Sequence, residues 1–110
     1  MNPMDEQLFD KIADAELTFL ESKLLDIDPD DLDVELTMGV LTLTFADGAK
    51  LIINSHRAAR QIWMAAFRQA WHFSPQERQG GYTWRTDKQD ELRATLAKTL
   101  SDKLGRSIAI

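Results

Sequence analysis

Leu32-Asp33-Val34-Glu35-Leu36-Thr37-Met38-Gly39-Val40-Leu41-Thr42-Leu43-Thr44-Phe45 alternates apolar and polar side chains on either side of a Met-Gly step. A period of two is the signature of a strand with one wet face, and a two-residue break between two such runs is a hairpin. Leu32, Val34 and Leu36 therefore point inward, and Asp33, Glu35 and Thr37 outward. Asp47-Gly48 gives a second hairpin signal before Lys50-Leu51-Ile52-Ile53-Asn54. Three antiparallel strands in a meander follow.

Upstream the period changes. From about Met4 to Leu25, Phe9, Ile12, Ala13, Leu17, Leu20 and Leu24 recur at helical spacing, widened by Leu8, Ala15 and Phe19. Asp26-Ile27-Asp28-Pro29-Asp30-Asp31 stops this amphipathic helix, because Pro29 disfavours helical backbone before it and aspartate favours turns. Downstream, after a loop from Ser55 to Arg60, Gln61–Ala65, Trp71–Phe73 and Tyr82–Trp84 read as short aromatic strands, the last preceded by Gly80-Gly81. Met64, Ala65, Ala66 and Ala70 favour helix, so the run from Ile62 to Ala70 leaves a helix open. A second helix is marked by Thr86 and Gln89 at capping-box spacing, by Asp87, Asp90 and Glu91 near its start, and by the row Leu92, Leu96, Leu100 and Leu104 before Gly105. The predicted architecture is α+β: a single domain over 1–110, a two-layer sandwich with two terminal helices on one face of an antiparallel sheet of about six strands. Two helices shield one sheet face, so the other meets water.

Charge is segregated. Residues 1–35 carry 12 acidic and two basic side chains, a net of −10, while the other 75 residues carry a net of +5. Such a negative pole suits cations or a basic partner and opposes nucleic-acid phosphates, although an acidic segment is also an ordinary way to stay solvated. There is no cysteine, so the chain forms no disulfide and offers no thiolate ligand to a metal centre. The first residues lack a basic-then-apolar leader, and nothing approaches a membrane-spanning run, so a cytoplasmic protein without membrane contact is expected.

No catalytic constellation is legible. His56 and His72, the two histidines, stand in no zinc spacing and beside no seryl or acidic hydrolase motif, and there is no phosphate-binding glycine loop. His72 reads first as a sheet residue between Trp71 and Phe73, and His56 as an exposed loop residue. The carboxylates offer more chemistry. Asp33 and Glu35 share one strand face close to Asp26, Asp28, Asp30 and Asp31. Oxygen ligands suit hard cations, but without EF-hand spacing the affinity should be about micromolar or weaker, roughly 8 kcal/mol at most. Trp63 faces solvent if Ile62 faces the helices; pattern alone leaves burial of the indole equally open. Arg57, Arg60 and Arg68 make this middle region basic.

The acidic first helix, the stretch Asp33–Phe45, Asp47-Gly48, Leu51-Ile52-Ile53-Asn54, Gln61-Ile62-Trp63, His72-Phe73 and Trp84, in this order, resemble the frataxin family and its bacterial CyaY branch over nearly the whole chain. The resemblance implies iron, ferrous or ferric, held weakly on an acidic ridge of Glu21, Asp26, Asp28, Asp30, Asp31, Asp33 and Glu35. It also implies docking on a cysteine desulfurase and an iron–sulfur scaffold protein through Asn54, Gln61 and Trp63, and a C-terminal tail, Ser107–Ile110, packed between the helices. Two departures from the family pattern stand out: Lys23-Leu24-Leu25 interrupts the usual acidic run, and Ala58-Ala59 replaces the usual loop proline. The expected protein is not an enzyme and is a monomer without metal. The alternative is a metal-independent acidic adaptor for a basic protein. A ferroxidase would need paired Glu-x-x-His motifs, which the sequence lacks.

Overall fold

A computed structural model describes residues 4–110. Helix α1 spans Glu6–Leu24 and begins where Asp5, in extended backbone, accepts the amide of Gln7 at 2.7 Å through its side chain. Its buried stripe is Phe9, Ala13, Leu17, Leu20 and Leu24, as the spacing predicts, with Glu16 buried among them. Leu8 and Ala15, two of the three residues predicted to widen it, are instead exposed, and Phe19 is half-buried.

Six strands follow: β1 (Leu32–Thr37), β2 (Val40–Phe45), β3 (Lys50–His56), β4 (Gln61–Ala66), β5 (Gln69–Arg78) and β6 (Gly81–Arg85). They pair antiparallel in sequence order, a plain meander with β1 and β6 as its edges. The run from Ile62 to Ala70 is thus a hairpin, and no helix forms there. Ile62, Met64 and Ala66 are buried while Gln61, Trp63 and Ala65 are not, so tertiary burial on one face overrides the helix preference of Met and Ala.

β5 is longer than the aromatic triplet predicts, because it runs on through Ser74-Pro75-Gln76. Its pairing with β4 ends at the Ile62–Phe73 pair, and beyond it β5 has only β6 beside it. A proline needs a position where no ladder donor is required, and a strand open on one side supplies one.

Helix α2 covers Leu92–Leu104 and closes on Gly105, whose φ of 72° is the left-handed conformation that glycine adopts without strain. Its start differs from the predicted capping box. Glu91 is the N-cap, accepting the amides of Arg93 and Ala94 at 3.0 and 3.1 Å. Thr86 and Gln89 belong to a preceding turn in which Thr86 Oγ1 accepts the Asp90 amide and Gln89 has a φ of 71°. A bridge between Arg85 and Glu91 closes that turn, so the capping-box spacing is met without a helix between the two residues.

The core lies between the helices and the inner sheet face. Leu41, Leu43, Leu51, Ile53, Ile62, Met64, Phe73 and Trp84 meet α1 and Leu92, Leu96 and Leu100 of α2, with Phe9 edge-on to Trp84 at 5.9 Å. In the tail, Ile108 and Ile110 pack against this core, and the Ile108 amide is donated to Ser101 Oγ of α2 at 2.9 Å. Among the described residues no helix is long and apolar enough to cross a membrane.

Candidate functional site

The acidic residues occupy one continuous path. Glu21 lies in the last turn of α1, and Asp26, Asp28, Asp30 and Asp31 lie in the connection to β1. Asp33 and Glu35 stand exposed on the outer face of β1, because Leu32, Val34 and Leu36 take the inner one. The path thus leaves the helix layer, rounds the edge of the molecule and ends on the bare sheet face.

Several carboxylates are already engaged. Asp28 accepts the Asp30 amide through its side chain at 2.9 Å, and its own carbonyl accepts the amides of Asp31 and Leu32, an Asx turn around Pro29. Asp31 receives Arg106 of the C-terminal segment at 3.0 Å. Further up the chain, Glu6 and Asp10 are paired with Arg57, Glu6 also with Arg60, and Glu16 with Arg93. Among the described residues, no three carboxylate or imidazole groups converge on a point that would cage a metal.

Those ion pairs correct the basic middle region read from sequence. Arg57 and Arg60 are turned onto the start of α1, and Arg60 Nε also donates to the Met4 carbonyl at 2.8 Å. Their charge is spent inside the molecule. The Lys23-Leu24-Leu25 departure also changes meaning: Leu24 is fully buried in the core, so a carboxylate could not stand there, whereas Leu25 is exposed.

Strand register lays out the outer face. One row runs Glu35, Thr42, Ile52, Ala65, Ala70, from the acidic edge to the centre. The next runs Thr37, Val40, Asn54, Trp63, His72, so Asn54 and Trp63 are direct cross-strand neighbours. Three strand spacings of about 4.8 Å put the Glu35 and Trp63 strands roughly 14 Å apart. Gln61 joins the same group: its Oε1 accepts the Trp63 indole N–H at 2.8 Å, and its Nε2 donates to Ser74 Oγ at 3.2 Å. The three residues singled out for partner contact, Asn54, Gln61 and Trp63, are therefore contiguous, and the indole is on the outer face.

The histidines were not foreseen there. The imidazole of His56 stacks on one face of the Trp63 indole, with ring centroids 3.9 Å apart and planes 19° from parallel, and that of His72 stacks on the other, at 4.1 Å and 11°. His56 is the last residue of β3, not a loop residue. Register puts His72 opposite Trp63, a non-local relation that spacing along the chain does not reveal. Beside the stack a shallow depression of about 150 Å³ opens, lined by Ile52, Asn54, Ala65 and Ala70. A larger, polar hollow of about 810 Å³ continues over β5 towards Arg85 and the turn before α2.

The frataxin-like domain family matches residues 2–106. The chain belongs to the frataxin family. Among its relatives, the iron-sulfur cluster assembly protein CyaY of Dechloromonas aromatica (strain RCB) is 36% identical over 109 residues, covering 97% of this chain and 99% of that protein. The frataxin of Psychromonas ingrahamii superposes with a TM-score of 0.82 at 25% identity, covering 96% of this chain and 97% of that one. Trimeric frataxin from the yeast Saccharomyces cerevisiae, solved as a complex with ferrous, superposes with a TM-score of 0.64 at 26% identity, covering 96% and 91%. Two terminal helices on a six-stranded antiparallel meander are the frataxin architecture, and the family is one of iron–sulfur cluster assembly.

Proposed function

We propose that this frataxin binds iron weakly on its acidic edge and acts in iron–sulfur cluster assembly as a carrier or regulator, docking on cysteine desulfurase and scaffold protein. The observation that carries this reading is the placement of Asp33 and Glu35 on the same outer face as Asn54, Gln61 and Trp63. An exposed row of carboxylates offers hard oxygen ligands without a rigid cage, which suits a cation that must be released. The same charges steer a basic protein onto the neighbouring neutral and aromatic surface. The ferrous complex and trimer of the yeast relative support iron as the cation and make metal-dependent assembly worth measuring; without metal a monomer is expected.

A second reading has its own observation. Asp28 and Asp31 already hold internal partners, and the carboxylates of the described residues do not converge, which favours an adaptor that uses the acidic edge for protein contact alone. Anaerobic titration with ferrous iron, alongside capture of the desulfurase, separates the two. In the variant Asp30→Asn/Asp33→Asn/Glu35→Gln the iron-binding reading requires ferrous affinity to fall at least tenfold. Unchanged iron affinity with weakened capture would establish the adaptor instead.

A further inference from the structure

We infer that His56 and His72 are positioning residues that clamp Trp63 upright, so that a partner meets the rim of the indole and not its face. The inference rests on the reading that Trp63 contacts the partner and adds how it does so. Aromatic anchors at interfaces commonly offer a broad ring face, and an isolated indole on a sheet would lie down over its neighbours to reduce its wet apolar area. Here both faces are taken, by imidazoles 3.9 and 4.1 Å away and within 19° of parallel. The indole N–H is also committed, to Gln61 Oε1 at 2.8 Å, and Gln61 is itself held by Ser74. Three strands therefore fix one side chain: β3 supplies His56, β4 supplies Trp63 and Gln61, and β5 supplies His72 and Ser74.

The His56 jaw is itself anchored. Its Nδ1 accepts the Ala59 amide at 3.3 Å, within the turn closed by the Arg60 amide on the Arg57 carbonyl. Arg57 and Arg60 tie that turn to Glu6, Asp10 and the Met4 carbonyl. The start of α1, on the opposite layer, thereby holds one side of the clamp on the docking face. A side chain fixed before encounter loses less rotamer freedom on binding, an effect on the order of three- to tenfold in affinity for one large residue.

The test uses the full chain and purified cysteine desulfurase, with three variants: His56→Ala/His72→Ala, His56→Phe/His72→Phe, and Trp63→Ala. In the free protein, the imidazole C–H resonances of both histidines should be displaced upfield by the indole ring current and return to ordinary positions in Trp63→Ala. Their lying at ordinary positions in the wild-type chain overturns the clamp. The alanine pair should bind the desulfurase about three- to tenfold more weakly with its thermal midpoint little changed, and the phenylalanine pair should recover most of that loss, since flat rings restore the stack. Wild-type affinity in the alanine pair, when Trp63→Ala has lost binding, overturns the positioning role. So does a phenylalanine pair as weak as the alanine pair, which would mean the imidazoles touch the partner themselves. Unchanged binding by Trp63→Ala overturns the docking reading itself, a failure distinguishable because the ring-current displacement reports the clamp without any partner.

Discussion

Replacing Arg93 by alanine should destabilise this protein by about 2–3 kcal/mol without touching its acidic edge. Glu16 is only 5% exposed, between Ala13 and Leu20 on the buried side of α1, and its two carboxylate oxygens accept from Arg93 Nε and Nη2 at 2.9 and 2.8 Å. This bidentate pair is a polar link between the two helices, and the guanidinium also lies over the Phe19 ring at 3.9 Å. Breaking a fully buried pair from one side costs about 3–5 kcal/mol, because a charge is left desolvated and alone. Arg93 is 40% exposed, so water enters behind the truncated side chain and the lower figure follows. The lost cation–π contact adds about 0.5 kcal/mol. For a chain of 110 residues each kcal/mol shifts the thermal midpoint by about 4 °C, so a drop of roughly 8–12 °C is expected by calorimetry. Glu16→Leu/Arg93→Ala should recover much of the loss, since no charge is then stranded. The Glu16 carboxylate holds the Arg93 proton above its already high ordinary value, so this link persists at alkaline pH for as long as the fold does. A loss below 0.5 kcal/mol, or a double variant no better than the single, would refute a buried pair at this place.

Three shorter expectations follow. Arg106→Gln removes the cation that faces Asp31, and because an exposed pair is worth about 0–1 kcal/mol, ferrous affinity of the ridge should rise by up to about fivefold in anaerobic titration, with little change in stability. Gly39→Ala should cost about 1–3 kcal/mol in urea unfolding, since φ there is 79° and an added Cβ would stand 2.7 Å from Ser55 Oγ; Ser55→Ala in the same chain should relieve only the steric share. Asp47 accepts from Lys103 Nζ and the Ala49 amide, and these bonds hold its carboxyl below the ordinary value. Such a group stabilises the fold above the unfolded carboxylate range and loses that contribution as pH falls through its lowered value, so Asp47→Asn should flatten the acid limb of the stability curve.

Local signals carried most of the fold. The alternation of Leu32–Phe45, the Met38-Gly39 and Asp47-Gly48 turns and the leucine row of α2 each depend on near neighbours, and each element stands where they put it. Features set by distant partners were harder to read. Pro75 falls outside the strand that Trp71–Phe73 marks, and its place in β5 follows only from the loss of the β4 neighbour beyond Phe73. Thr86 and Gln89 imitate a cap because spacing alone does not fix backbone conformation. Asn54, Gln61 and Trp63 were identified by resemblance, but the imidazoles that flank the indole come from other strands and leave no periodic trace. Glu16 did leave one, since it falls inside the apolar stripe of α1, where a carboxylate demands a buried cation.

Pairing reshapes the negative pole that composition alone describes. Of the 12 acidic residues up to Glu35, Glu6, Asp10, Glu16 and Asp31 hold ion pairs among the described residues. Glu6, Asp10 and Glu16 all lie on the first three turns of α1, whose charge is consumed in fastening the β3–β4 turn and α2 to the helix. Six of the eight others fall between Glu21 and Glu35, where Lys23 is the one basic residue. Internal pairing therefore sharpens the pole: it cancels charge along the start of the helix and leaves it along the path to the sheet edge. An encounter with a basic surface is then directed to that edge, and the face it meets next is the row ending at Trp63 and His72. Screening should weaken this first step more than the second, because the carboxylates are exposed whereas the aromatic stack is held by contact. Raising salt from 50 to 500 mM should accordingly slow desulfurase association while leaving the dissociation rate nearly constant, and a dissociation rate that rises in step with salt would mean that the charges, not the aromatic row, hold the complex together.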